Sequence, residues 1–293
     1  MKSNSFFKIF LFIFTLSIIC AFLLSLTHTL LKKEREQSIK VDKCTELLIS
    51  AKVLNYDGFF LKETFKCHYE IATFDKKTKS LKISRKPKKA TKKEILQIYK
   101  KLVFSFLVNS SGDEFSFKEL HINYENYLEK FQSTGFANLE YKLIYKVKSL
   151  KNRDIFVIPI NGMGLWDKIY GYLTIDNDGF TVIGATWYKQ NETAGLGANI
   201  TNPNWLEKFC QKIIFQESKN GEINLEKAPI GITIIKGNVN NLQKPKFLKK
   251  NMVDGISGAT FTCKGATQAY RNSLAPYRQF LVKINKEFLK NES

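Results

Sequence analysis

Between Ile9 and Leu31 the chain carries no charged side chain over 23 residues, and the stretch is rich in Phe, Leu and Ile. This run constrains the fold more than any other feature of the sequence. As a helix rising about 1.5 Å per residue, it is long enough to cross a hydrocarbon core about 30 Å thick with some tilt. A cleavable signal peptide would have an apolar region of about 7–15 residues ending at small residues. Here the run is longer and closes on Leu30, Leu31 and Lys32. The pattern therefore predicts a short tail over 1–8 and an uncleaved membrane helix over 9–31. No second stretch of comparable length and apolarity follows, so nearly everything after Lys32 is expected to be soluble. Lys2 and Lys8 precede the span, and Lys32, Lys33 and Arg35 follow it. By the positive-inside rule that difference favours a cytoplasmic C-terminal side by a single charge.

The soluble part has the composition of a folded protein. Over 293 residues the chain is 44% hydrophobic and 25% charged, which excludes wholesale disorder. A formal net charge of +19 admits nucleic acid, an anionic membrane surface or an acidic partner, and selects none of them. Ten basic residues and no acidic one lie between Lys76 and Lys93. A run of this kind is usually a solvated surface loop, here around Pro87. The functional alternative is contact with acidic lipid or an acidic partner. No aromatic residue interrupts Arg85–Lys93, so nothing there offers bases a stacking platform and no nucleic-acid partner is expected. Five cysteines without a CxxC pair exclude a zinc ribbon and a thioredoxin-type motif, and three histidines are too few for a His-rich metal site.

Periodicity divides the rest of the chain. Residues 32–54 read as a helical stalk that carries Cys44. The lysine-rich segment 55–150 includes a helix that starts at Thr91, with Glu94 completing a capping box and Ile95, Ile98, Tyr99, Leu102 and Val103 at helical spacing. Ile155–Trp187 reads as an antiparallel meander, with a strong turn signal at Asn177-Asp178-Gly179. Trp205–Phe215 is predicted as a short amphipathic helix and Ala228–Gly237 as a strand. Phe261–Asn291 is predicted as a helix broken near Pro276. The fold class is α+β: an antiparallel-sheet domain with flanking helices, tethered to one N-terminal transmembrane helix, with 151–293 as its ligand-binding portion.

Three segments carry the chemistry. The first runs from Ile158 to Trp166, where Gly162 and Gly164 flank Met163 and permit an irregular backbone before the apolar Leu165 and Trp166. The second is Glu192-Thr193-Ala194-Gly195-Leu196-Gly197-Ala198, whose alternate glycines let backbone approach a flat or anionic ligand. The third is Val253–Thr262, in which Ser257, Gly258 and Ala259 lead to Thr260 and then to helix-like sequence. Amides at a helix start favour an anion, above all a phosphate. Thr260 or Thr262 could equally be a plain N-cap. Taken singly, each segment is more often an ordinary turn or cap than a site.

Together the three segments resemble the NqrC family, the covalent-FMN subunit of the sodium-translocating NADH:quinone oxidoreductase, a bacterial respiratory complex. The resemblance covers the single anchor and roughly Ile155 to Leu274, and is poor over Asn55–Leu150. Asp254-x-x-Ser257-Gly258-Ala259-Thr260 resembles the family's flavinylation motif, which implies FMN joined to Thr260 through a phosphoester bond. Gly162–Trp166 and Glu192–Gly197 are typical of the same family. Two positions depart from it: Ala194 stands where the family usually has Pro, and Gln190 where it often has His.

The resemblance implies an electron-transfer protein that relays electrons from NADH toward quinone, coupled to sodium export and inactive alone. Leu165, Trp166, Leu196 and Phe261 would pack near the isoalloxazine. Glu192 and Thr193 would hydrogen-bond it, with Gly195 and Gly197 shaping the loop. Implied partners are the other subunits of the complex, a flavin transferase for maturation, and membrane lipid. The implied location is the bacterial inner membrane with the soluble domain on the periplasmic face, against the one-charge bias of the flanks. Cys44, Cys67, Cys210 and Cys263 would then meet an oxidising compartment. Alternatives are the flavoprotein of an Rnf-type complex, a membrane-anchored FMN-binding regulatory module, and a basic adaptor that uses Lys76–Lys93.

Overall fold

The structure is a computed structural model that describes residues 3–292, apart from 66–67, 79, 85, 135–138, 149–152 and 219. Cys67 lies outside the described residues. The chain divides into two units, Met1–Lys43 and Cys44–Ser293.

The first unit is helical. It is the greater part of α1 (Ser3–Ser50), whose apolar side chains from Phe6 to Leu31 are exposed. Thr15, Ser17, Thr27 and Thr29 each donate their hydroxyl to the carbonyl four residues earlier, at 2.8–2.9 Å. Hydroxyls satisfied in this way need no water, as a span in hydrocarbon requires.

In the second unit α1 ends at Ser50, four residues short of the predicted Leu54. Lys52 takes a left-handed backbone (φ 55°), and the Val53 and Leu54 amides turn back to the Leu48 carbonyl. Thr174 donates to Ser50 Oγ at 3.0 Å and Thr186 to the Glu46 carbonyl at 3.2 Å, which keys the helix end to the sheet. Strands β1 (Phe60–Phe65), β2 (His68–Asp75) and β3 (Ser80–Ile83) follow as a small antiparallel sheet. Helix α2 (Lys92–Leu102) then begins with the anticipated capping box: Thr91 caps the Glu94 amide, and Glu94 accepts from the Thr91 amide.

The main sheet has six strands. They are β4 (Val103–Val108), β5 (Glu114–Phe115), β6 (Lys142–Lys148), β7 (Asp154–Met163), β8 (Lys168–Ile175) and β9 (Val182–Lys189), with helix α3 (Tyr124–Thr134) between β5 and β6. Their order is β5-β4-β6-β7-β8-β9, antiparallel throughout. The expected meander is β7–β9. Three further strands come from within 55–150, so one sheet crosses residue 150. Both faces are covered. Along β7, Phe156, Ile158 and Ile160 join one core, while Ile155 and Val157 join the other. The second core also holds Leu47 and Leu48 of α1, Phe60, Leu81 and Ile98. Burial on both faces explains why Ile155–Ile160 reads as a continuous apolar run rather than an alternating one.

Two predicted elements are shorter than their patterns suggested. In place of a helix over Trp205–Phe215 there is α4 (Pro203–Leu206) and a 3₁₀ turn over Glu207–Phe209. The helix cannot continue, because Cys210 turns extended and Gln211 is left-handed (φ 63°). Within Ala228–Gly237 only β10 (Thr233–Ile234) is strand. After α5 (Lys246–Lys249), β10 is joined in parallel by β11 (Met252–Val253). Pro229 lacks an amide hydrogen and Gly231 sits at φ 127°, so the earlier residues cannot sustain a ladder.

The C-terminal helix breaks as predicted. Helix α6 (Thr260–Leu274) gives way to a 3₁₀ turn over Ala275–Tyr277, and α7 (Arg278–Glu292) follows. Helix α6 turns a mostly small-residue face, including Cys263, Ala266, Ala269 and Ser273, to the sheet. Ser273 clasps β7, accepting from the Asn161 amide at 3.0 Å and donating to the Asn161 carbonyl at 3.1 Å.

Candidate functional site

The three segments singled out from sequence, far apart along the chain, meet at the start of α6. The turn after β7 brings Gly164, Leu165 and Trp166. The loop after β9 brings Glu192 to Gly197. The β11–α6 connection brings Asp254 to Thr260.

Glu192 joins all three. Its side chain is buried, with 8% relative exposure. The Leu165 amide donates to both carboxylate oxygens at 3.0 and 3.1 Å, and the Trp166 amide to Oε1 at 3.1 Å. Thr262, on the first turn of α6, donates its hydroxyl to Oε2. A buried carboxylate requires donors of this kind. Glycine makes room for it on both sides. A Cβ on Gly197 would stand 2.5 Å from Thr262 Oγ1, and one on Gly164 would stand 2.9 Å from Glu192 Cδ. Because its oxygens are engaged by the protein, Glu192 fixes the loops around the site.

Neighbouring contacts complete the frame. The Trp166 indole donates to Thr193 Oγ1 at 3.0 Å, which sets the ring's orientation while leaving it 66% exposed. Asn191 donates to Asp167 Oδ2 at 2.7 Å, and the Gly164 amide to the Asp167 carbonyl at 2.8 Å. The Lys168 amide and then the Asn191 side chain hold the Asp167 carboxyl below its usual range. The Gln190 side chain accepts from the Glu192 amide at 2.6 Å.

Asp254 anchors the third segment. It accepts from Lys208 Nζ at 2.6 Å and from the Val239 amide at 2.7 Å, while its carbonyl accepts from the Trp205 indole at 2.8 Å. Partial burial acts to raise its carboxyl, and the hydrogen bonds from Lys208 and Val239 overcome this and hold it low. Burial pushes the Cys263 thiol up, against a weak hydrogen bond from the Ile256 amide, so this cysteine behaves as a packing residue. Cys20 and Cys263 are free thiols.

Thr260 occupies the first helical position of α6, not the N-cap. The N-cap is Ala259, and no side chain caps this helix. Thr262 likewise is no cap, since its hydroxyl goes to Glu192. The amides of Thr260, Phe261 and Thr262 precede the first intrahelical bond, in which Cys263 donates to Ala259. Thr260, Ser257 and Gly258 are exposed, and Ala259 is buried. Gly258 is left-handed (φ 73°), and the Leu196 side chain fills the place a Cβ would take. Around this helix start, the large apolar side chains of Leu165, Trp166, Leu196 and Phe261 are exposed; Thr193 and Gly195 are exposed too, while Gly197 is buried.

FMN is a phosphate joined by a chain to a large, flat ring, and these residues suit both ends. An uncapped helix start beside an exposed hydroxyl suits the phosphate. The exposed apolar and aromatic surface alongside suits the ring. Sequence reasoning had not found the roles of Thr262, Asp167, Asn191 and Trp205. A threonine at the third position of a helix was the only cue to the first, and the other three residues take part in two contacts, Asn191–Asp167 and Trp205–Asp254, that span 24 and 49 positions with no local signature.

Comparison with known proteins agrees with this geometry. Residues 164–275 match the FMN-binding domain family, a span that takes in the second and third segments and the end of the first, Gly164 to Trp166. That part of the chain thus belongs to the class of FMN-binding domains. Over 97% of its length the chain is 36% identical to the Na(+)-translocating NADH-quinone reductase protein NqrC of Chlamydia caviae, covering 94% of that protein. It is likewise 36% identical to the NqrC of Chlamydia pneumoniae, over 94% of this chain and 91% of that one. The chain therefore belongs to the NqrC family of the Na(+)-translocating NADH-quinone reductase. These matches run through Asn55–Leu150, where the sequence alone had suggested divergence. The crystal structure of the NqrC protein from Parabacteroides distasonis shares the fold, with a TM-score of 0.56 and 23% identity over 86% of this chain and 96% of that one.

Proposed function

We propose that Thr260 carries FMN through a phosphoester bond from its Oγ1, and that the domain relays electrons from NADH toward quinone within a sodium-exporting membrane complex. The observation that carries this reading is the uncapped start of α6, with an exposed Thr260 hydroxyl where three loops converge. Near-full-length membership of the NqrC family supports it.

When bound, FMN supplies the electron-transfer chemistry that no side chain here provides. The chain's own residues hold and orient. The first-turn amides of α6 face the phosphate position and favour negative charge there. Glu192 fixes Leu165 and Trp166 to α6, so the apolar surface stands at a set place relative to Thr260. Thr193 holds the Trp166 ring and keeps its own hydroxyl hydrogen for a ligand. Asp254 fixes the loop that presents Ser257, Gly258 and Thr260.

Attachment would require a flavin transferase, and turnover would require the other proteins of the complex. In this reading α1 anchors the chain once in the bacterial inner membrane and the domain faces the periplasm. The near-equal charges flanking the span offer little resistance to that orientation.

Peptide mapping tests the reading. Co-expressed with an active flavin transferase, the peptide containing Thr260 should gain the mass of FMN less one water. An unmodified peptide, or an adduct on another residue, would refute it.

A further inference from the structure

We propose that the layer formed by β1, β2, β3 and α2 is a docking face for anionic phospholipid headgroups. Ten exposed lysines lie between Lys76 and Lys101, against one acidic residue in that span, Glu94; β2 adds Glu70 and Asp75, and Asp75 is paired with Lys82. Glu94 is already committed to the Thr91 amide. The lysines form one surface. The charges of Lys76, from the β2–β3 turn, and of Lys88, from the β3–α2 connection, both act on Glu94 at the start of α2. Lys101, at the end of α2, reaches the Thr78 carbonyl at 3.5 Å. Ile83 is 48% exposed on the same hairpin, and Pro87 is exposed beside it.

Three observations favour lipid over a protein partner. The first is placement. The lysine layer packs on the core that holds Leu47 and Leu48 at the end of α1, while the site around Thr260 lies on α6, which packs on the opposite core. An electron-transfer partner must come near the flavin, and a partner on the lysine layer would not. The second is reach. Twelve residues separate Leu31 from Cys44, so a chain anchored through 9–31 is tethered to the membrane by a short link whatever the angle between its two units. The third is chemistry. The described cations in the patch are lysines, which act as point charges on flexible stems and suit a fluid array of phosphates rather than a fixed bidentate geometry. The inference rests on reading α1 as a membrane anchor, and its placement argument rests on the flavin site proposed above.

Lysine-labelling mass spectrometry on the full-length protein tests this. The protein is reconstituted into nanodiscs of phosphatidylcholine or of phosphatidylglycerol. Lysines between Lys76 and Lys101 should label about three-fold or more slowly in phosphatidylglycerol at low salt, because anionic headgroups attract basic segments. The difference should shrink at high salt, where the Debye length falls to a few ångströms. Lys227, Lys236 and Lys244, exposed elsewhere, should label alike in both lipids. Replacing Lys82, Lys86, Lys88 and Lys89 with Glu should abolish the difference. If that variant misfolds, the wild-type comparison stands alone. Equal labelling in both lipids would overturn the proposal. So would protection that appears only in the intact complex, which would assign the face to an acidic protein. A chain that enters neither nanodisc would refute the anchor reading, and the proposal with it.

Discussion

Replacing Glu192 tests whether a buried carboxylate holds the site together. In Glu192→Ala, two backbone amides and the Thr262 hydroxyl lose their acceptor. Hydrogen bonds to a charged group contribute about 1.5–3 kcal/mol each, and a donor left buried without a partner costs a similar amount. The Leu165 and Trp166 amides are only half-buried where they meet Glu192, so water recovers part of the loss. The Thr262 hydroxyl, with 1% residue exposure, cannot be rehydrated so easily. The net cost is then about 3 kcal/mol. At roughly 2–4 °C per kcal/mol for a domain of this size, melting should fall by about 6–12 °C. Glu192→Gln keeps one oxygen for the two amides and places an amide group by Thr262, whose hydroxyl can accept instead of donating. It should cost about 1 kcal/mol, the difference between charged and neutral hydrogen bonds. Thermal melts of the purified protein, followed by intrinsic fluorescence, measure both. If the frame positions Thr260, flavin incorporation should fall in the same order, Ala below Gln below wild type. An Ala variant that melts within about 1 °C of wild type and takes up flavin normally would refute the reasoning.

Four further outcomes follow from the geometry. Gly197→Ala would place a methyl 2.5 Å from Thr262 Oγ1, so both melting temperature and flavin incorporation should drop, as thermal melts and in-gel fluorescence would read. Trp166→Phe removes the indole bond to Thr193 from an exposed ring; stability should change by no more than about 0.5 kcal/mol, while the absorption spectrum of bound flavin shifts. Asp254 is held low, so its contribution is full above the unfolded carboxylate pKa of about 4 and is lost as pH falls through the lower folded value. The melting gap between wild type and Asp254→Asn should therefore be present at neutral pH and close in strong acid. Burial pushes Tyr145, Tyr172, Tyr270 and Tyr277 well above the usual tyrosine range, so their contribution is present below about pH 10 and lost above it; alkaline unfolding should coincide with tyrosine ionisation at about 295 nm.

What the sequence revealed followed the range of the physics involved. The Thr91–Glu94 capping box, the meander and the break at Pro276 are written in residues close along the chain, and the structure has them where expected; the apolar run Ile9–Leu31 falls within the longer helix α1. Trp205–Phe215 has helical apolar spacing, but its residues serve a 3₁₀ turn and isolated bridges, because Gln211 adopts a left-handed backbone that periodicity cannot register. The segment 55–150 looked uninformative because its strands are short and interrupted by lysines, yet β4 and β6 pair within the main sheet. At the site, the three segments were legible as motifs. How they meet was not, because it depends on Glu192 reaching residues 26 to 70 positions away. The expectation that Glu192 and Thr193 act alike gives way to a division of labour: the carboxylate is committed within the frame, and the threonine stands exposed at the rim.

The most direct test of the central claim is in-gel flavin fluorescence after denaturing electrophoresis, with wild type, Thr260→Ala and Thr262→Ala each co-expressed with an active flavin transferase. The account predicts a fluorescent wild-type band, no fluorescence for Thr260→Ala, and a weakened band for Thr262→Ala, which loses a contact to Glu192 but keeps the attachment hydroxyl. A dark wild-type band, or a Thr260→Ala band as bright as wild type, would contradict it.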